Sequence, residues 1–377
     1  MASLCQISSD EAGEHCVRLP AAVDQTIDLV QSDDPDSKIH AAKEIRRLTK
    51  TSSKHRRHFS GAIGSLVSML QSDGLDCKES AILALLNLSV KDERNKIEII
   101  DAGALEPLIS FLRLPNSNLR EYATAALLTL SASVINKPTI STSGAIPLLV
   151  EVLKDGNPQS KVDALMALYN LSTLYNNLTT ILTAGAVSPL INLLKRCKKS
   201  SKTAEKCSAL LESLLGFDEG RTALMAEEGG VLTVVEVLED GSLQSREHAV
   251  GALLTMCESD RCRYREAILK EGAIPGLLEL TVQGTRKSQS KAHALLQLLR
   301  DSPCPRSELE ADTLENIVSN IVLQIDGEDR CGKAKKMLAE MVQVSMERSL
   351  SHLQQRAMVC TTTDVPHAKC PTEVPSK

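Results

Sequence analysis

At 377 residues the chain is longer than one hydrophobic core usually serves, so several domains or a repeat array are expected. Its hydrophobic content of 42% is ordinary, but with 2% aromatic residues and no Trp the core must be aliphatic, as helix-on-helix packing allows. A formal net charge of -5 is small for this length and argues against a chain built to coat nucleic acid.

Residues 1–20 carry acids and no apolar run, which predicts a disordered N-terminus without a secretory leader. Residues 21–60 read as a degenerate first unit. "AAVDQTIDLVQS" and "SKIHAAKEIRRLTK" have helical spacing, and "KHRRH" (Lys54–His58) reads as a short charged helix. From there one phrase recurs: "AGALEPLISFL" (Ala102–Leu112), "SGAIPLLVEVL" (Ser143–Leu153), "AGAVSPLINLL" (Ala184–Leu194) and "EGAIPGLLEL" (Glu271–Leu280). Its glycine marks units starting near Gly61, Gly103, Gly144, Gly185, Gly229 and Gly272, at intervals of 42, 41, 41, 44 and 43 residues. Such a period is the signature of a stacked array.

Each unit divides into three predicted helices. A short one, such as "NKIEIIDA" (Asn95–Ala102), ends at the glycine, which supplies a left-handed turn. A second follows at once, with Pro107, Pro147, Pro189 and Pro275 in its first turn, where a missing N–H is harmless. After a polar loop comes a longer third helix, as in "LREYATAALLTLS" (Leu119–Ser131) and "KVDALMALYNLS" (Lys161–Ser172), whose alanines allow close approach. Three helices at this period make the expected fold class all-α, an armadillo-repeat right-handed superhelical solenoid over residues 21–302. Residues 303–358 read as a C-terminal helical cap with Leu338, Met341, Met346 and Leu350 on one face, and 359–377 as a disordered tail.

With the glycine phrase, the "ALLNLS" and "ALYNLS" helices and "FDEGRTALMAEEGGVLTVVEVLEDG" (Phe217–Gly241), the chain resembles the armadillo region of plant U-box–armadillo proteins. Members are often ubiquitin ligases in which the U-box recruits the E2 and the array holds the substrate. The residues before the first armadillo helices are too few for a U-box, and no U-box pattern follows the array. The resemblance therefore implies a non-enzymatic binding scaffold, with a substrate-binding ligase component as the alternative. It also implies that an Asn near the end of each third helix grips the backbone of a bound peptide.

No residue pattern points to catalysis, a cofactor or a metal. The eight His show no ligand spacing, Cys257 and Cys262 have no matching pair, and no phosphate-binding glycine loop is present. The eleven Cys are expected as reduced thiols in a cytoplasmic or nuclear protein, and no apolar run is long enough for a membrane span. The partner is expected to be another protein, as an extended segment or helix, bound in the groove of third helices. The residues aligned with the gripping Asn are Asn87, Thr129, Asn170, Ser213, Thr255 and Gln297, and those sharing their face include Tyr122, Asp163, Met166, Lys206, His248 and His293. Lys202 adds basic character at the fourth unit. The aligned Glu79, Glu121, Glu205 and Glu247 are expected to complement the helix dipole. The "KRCKKSSK" stretch (Lys195–Lys202) reads as a solvated loop.

Overall fold

The computed structural model describes residues 23–115 and 117–300, and every regular element among them is helical. The expected N-terminal tail (1–20), C-terminal cap (303–358) and C-terminal tail (359–377) lie outside the described residues. The degenerate first unit contributes α1 (residues 23–31) and α2 (Pro35–Thr49). Helix α3 (Ser53–His58) and a 3-10 turn (Phe59–Ala62) lead to α4 (Ile63–Met69) and α5 (Leu75–Ser89). Triplets then repeat: α6 (Glu93–Asp101), α7 (Leu105–Leu112) and α8 (Asn118–Ser131), then α9 (Asn136–Thr142), α10 (Ala145–Asp155) and α11 (Pro158–Ser172). After them come α12 (Asn176–Thr183), α13 (Val187–Arg196) and α14 (Lys202–Leu214), and α15 (Asp218–Ala226), α16 (Gly230–Asp240) and α17 (Leu243–Ser259). The last triplet is α18 (Arg261–Lys270), α19 (Ala273–Gln283) and α20 (Arg286–Arg300). This is the armadillo arrangement.

The marker glycine does its expected work at five of six places. Gly144, for example, has φ +82°, and a Cβ added there would meet nothing within 4 Å. The demand is therefore on backbone conformation and not on space. At the equivalent turn before α13 the chain bends by 81° between α12 and α13. Gly61 departs from the expectation. It sits inside the 3-10 turn with no positive φ, and the Ile63 N–H bonds to the Ser60 carbonyl, so the chain runs into α4 without a left-handed residue.

The loops before the third helices supply their N-caps. The hydroxyls of Ser117, Ser201 and Ser242 and the side-chain oxygen of Asn157 each accept a backbone N–H in the first turn of α8, α14, α17 and α11. Successive third helices pack directly on one another along the series α2, α5, α8, α11, α14, α17 and α20. Ala123, Ala126, Ala164 and Ala167 are buried at these contacts, as expected. Around them Leu149, Leu165, Leu168 and Leu171 are fully buried, each stabilising the fold by roughly 1.5–3 kcal/mol through transfer from water.

A further tie was not anticipated. The amides of Asn95, Asn136 and Asn177, at intervals of 41 residues, sit buried at the start of α6, α9 and α12. Asn95 donates to the carbonyls of Leu88 and Arg56, at 3.0 and 3.1 Å. Asn136 donates to those of Lys96 and Leu130, at 2.9 and 3.3 Å. Asn177 donates to the Leu171 carbonyl and the Ser141 hydroxyl, at 2.8 and 2.7 Å. Each amide thus closes the open C-terminus of a third helix and fastens it to the preceding unit. In the next unit Gly220 takes this place, packed on the Leu214 carbonyl, and Arg221 bonds the Leu215 and Gly216 carbonyls instead.

Cys77, Cys197, Cys207 and Cys257 carry free thiols, and burial pushes Cys257 up to about 11. Cys262 is disulfide-bonded and departs from the expected reduced state. Among the described residues no single helix is long and apolar enough to cross a membrane.

Candidate functional site

The third helices α5, α8, α11, α14, α17 and α20 form a continuous wall, and the residues aligned on its open side are the candidate site. Along α5, α8 and α11 this face is largely uncharged. Leu83 and Tyr122 are half-buried against the core, and Met166 on α11 is half-buried. Thr129 donates to the Ala125 carbonyl of its own helix at 3.0 Å. Asp163 accepts from the Gln159 amide at 2.8 Å, yet burial dominates and raises its carboxyl above the ordinary value.

Asn87 and Asn170 hold the neighbouring helix. The Asn87 amide donates to the Arg46 carbonyl of α2 at 2.8 Å. The Asn170 amide donates to the Ser131 hydroxyl at 3.2 Å and the Leu128 carbonyl at 3.4 Å, both in α8. Their N–H groups therefore serve the array itself. Each carbonyl oxygen keeps its capacity to accept from a bound backbone N–H.

At α14 the face becomes ionic. Lys206 Nζ lies 4.2 Å from the centroid of the Tyr169 ring of α11, a cation–π contact, and 3.5 Å from Glu205. Lys202, exposed, bonds Glu205 at 2.7 Å. Burial opposes the Glu205 charge, but the two lysines outweigh it and lower the carboxyl below its ordinary value. Farther along the wall lies a carboxylate that periodicity did not single out. Glu212 receives Lys291 Nζ of α20 at 2.6 Å on one oxygen and His248 Nδ1 of α17 at 2.7 Å on the other. Burial again opposes its charge, and these two partners more than compensate, so its carboxyl also sits below the ordinary value. The bridge to Lys291 passes over Gly251 of α17, where an added Cβ would overlap the Glu212 carboxylate. Gly251 is the wall position that clears this crossing.

Of the remaining expected residues, Ser213 is exposed and bonds the Ala209 carbonyl, Thr255 is half-buried, and His293 and Gln297 are exposed on α20. Glu79 and Glu247 do more than complement a dipole. Glu79 accepts from the Asn118 amide at 3.2 Å, and Glu247 from the Thr285 hydroxyl at 2.6 Å, so both tie to the start of the next third helix. The "KRCKKSSK" stretch is also more engaged than a solvated loop. Lys199 pairs with Glu236 at 3.0 Å, and Lys195 donates to the Glu228 carbonyl at 2.6 Å. That neutralisation removes much of its attraction for a nucleic-acid backbone. "KHRRH" lies in α3, where Arg56 is buried and caps α2 through the Thr49 and Lys50 carbonyls.

Residues 137–319 match the family model of the plant U-box protein ARM repeat region, and residues 92–132 match the armadillo/beta-catenin-like repeat. U-box domain-containing protein 17 of Arabidopsis thaliana is 34% identical over 264 residues, covering 69% of this chain and 36% of that protein. U-box domain-containing protein 9 of the same plant is 37% identical over 270 residues, 69% of this chain and 57% of its own length. U-box domain-containing protein 1 of Medicago truncatula is 33% identical over 296 residues, 78% of this chain and 42% of its own. The chain thus spans between about a third and three fifths of these relatives. Among solved structures, the crystal structure of an engineered protein matches with a TM-score of 0.62 at 22% identity, covering 83% of this chain and 76% of that one, which supports the fold alone.

Proposed function

Because this chain is an armadillo-repeat protein whose repeats match those of plant U-box proteins, we propose that it is a non-enzymatic scaffold holding another protein along its third-helix wall. The observation that carries this reading is the run of half-buried side chains Leu83, Tyr122 and Met166 on three successive third helices. They are apolar and open, and Asn87 and Asn170 flank them with free acceptor oxygens. An extended segment laid across the helices buries its side chains on the apolar positions and its backbone N–H groups on the acceptors. Tyr122→Ala with Met166→Glu tests it. Partners recovered by proximity labelling and mass spectrometry should be lost while the unfolding transition is retained. An unchanged partner set would move the interface off the wall.

The similarity to U-box proteins favours one alternative, a substrate-holding component of a ubiquitin ligase whose E2-recruiting part is supplied elsewhere. Ubiquitin chains formed on the purified protein by E1 and E2 alone would overturn the scaffold reading in favour of a ligase. Formation only after a U-box protein is added would support the component reading.

A further inference from the structure

Between α10 and α13, on the second-helix layer and beside the start of α11, lies a cleft of about 400 Å³. Lys154 of α10, Lys161 of α11 and Arg196 of α13 line it, with Glu151 as the single carboxylate. Ser188 and Asn192 add neutral polar groups, and Leu153 and Leu193 give it an apolar floor.

Two of the other unit junctions pair the aligned cation with an acid of the next second helix. A basic residue stands seventeen positions after the glycine in five units: Lys78, Arg120, Lys161, Lys202 and Arg246. Arg120 meets Asp155 of the next second helix at 2.9 Å, and Arg246 meets Glu279 of the next second helix at 3.1 Å. Lys202 pairs with Glu205, and Lys78 rests over the Phe111 ring. At the Lys161 junction both acid positions have changed. The residue aligned with Asp155 is Arg196, and the residue aligned with Glu279 is Asn192. Lys161 is left bonding the Lys154 carbonyl at 2.9 Å, which fixes its ammonium and leaves two donors unspent. Lys154 and Arg196 are exposed and have no ion pair among the described residues. The preceding cleft, beside α7, holds Glu106 and Arg113 and is balanced.

We infer that the cleft between α10 and α13 binds a phosphate monoester carried on a side chain of a partner protein. Three cations against one carboxylate leave a surplus that matches a phosphoserine or phosphothreonine, which carries about -1.5 to -2 at neutral pH. Arg196 supplies the planar fork that phosphate oxygens favour, and the lysines supply point charges. The apolar floor accommodates the neighbouring side chain of the bound segment. None of the candidate wall residues lines this cleft, so the proposal does not depend on the wall.

Fluorescence anisotropy on the full chain, at physiological salt, tests it with degenerate peptide sets centred on phosphoserine, serine or glutamate. The phosphoserine set should bind about tenfold or more tighter than the other two, as charge-assisted pairs to a dianion require. Lys154→Gln with Arg196→Gln should abolish that preference, and Arg113→Gln should leave it intact. Inorganic phosphate should displace the phosphoserine set at millimolar concentration. Equal binding of the phosphoserine and serine sets would overturn the proposal. So would a glutamate set bound as tightly as phosphoserine, or a preference that survives the double substitution. The substituted residues are exposed, and an unchanged unfolding transition confirms that any loss is local.

Discussion

From α5 to α12 most ties between units run through neutral amides, with Arg120–Asp155 as an ionic exception, whereas from α14 to α20 charged side chains predominate. In the first region Asn87, Asn95, Asn136, Asn170 and Asn177 each donate to a group in the preceding unit. In the second, Glu212 bridges to Lys291 and His248, Arg246 pairs with Glu279, and Glu247 accepts from Thr285. The same helix triplet therefore supports two kinds of junction. Amide ties are short-ranged and indifferent to salt, while ionic ties are screened by it and depend on protonation.

The largest expected effect breaks an amide tie. Asn177→Ala leaves the buried Leu171 carbonyl and Ser141 hydroxyl without their donor and should cost about 2 kcal/mol in denaturant unfolding, unchanged between low and high salt. A marked salt dependence would contradict the division. Next comes Glu212→Ala, which strands Lys291 and His248. With its partners half-exposed it should cost about 1 kcal/mol at low ionic strength, and less in molar salt.

Gly251→Ala sharpens the same point. A helix interior gains roughly 0.5–1 kcal/mol from alanine, but here the methyl group displaces the Glu212 carboxylate. The substitution should be destabilising in the native chain and stabilising beside Glu212→Ala. Additive effects in that double-mutant cycle would show that the bridge does not cross Gly251 in solution.

The Glu212 carboxyl lies below its ordinary value of 4.5, so the folded state releases its proton more readily than the unfolded chain. Its stabilisation is complete above that value and is lost as pH falls through the folded one. The difference in denaturation midpoint between the native chain and Glu212→Gln should therefore shrink on acidification below 4.5. The smallest effect belongs to the neutral region. Burial raises the Asp163 carboxyl, so its charge works against folding at neutral pH. Asp163→Asn should raise the melting temperature slightly, by at most about 0.5 kcal/mol of stability.

The repeat was legible because backbone conformation restricts residue choice sharply. A left-handed turn selects Gly144 and its counterparts, and a helix start tolerates Pro147. Gly61 misled, because the same residue type also fits an ordinary 3-10 turn. The ladder of Asn95, Asn136 and Asn177 was present at a constant interval, yet those residues read as polar helix starts, and nothing local shows that their targets lie in the preceding unit. For Asn87 and Asn170 the face was legible and the amides' partners were not. Glu212 was missed for a stronger reason. Its partner Lys291 lies 79 residues away, a separation no helical period encodes.

That separation has a consequence for how the array comes apart. Nearly every tie in a stacked array links adjacent units, so a terminal unit is free to fray alone. The Glu212–Lys291 bridge instead skips α17 and joins α14 to α20. Among the described residues α20 is the last third helix, and it cannot separate from α17 without uncovering a carboxylate two units inward. Amide hydrogens of α14, α17 and α20 should consequently exchange with solvent as one cooperative block, in place of the graded opening expected of identical nearest-neighbour links.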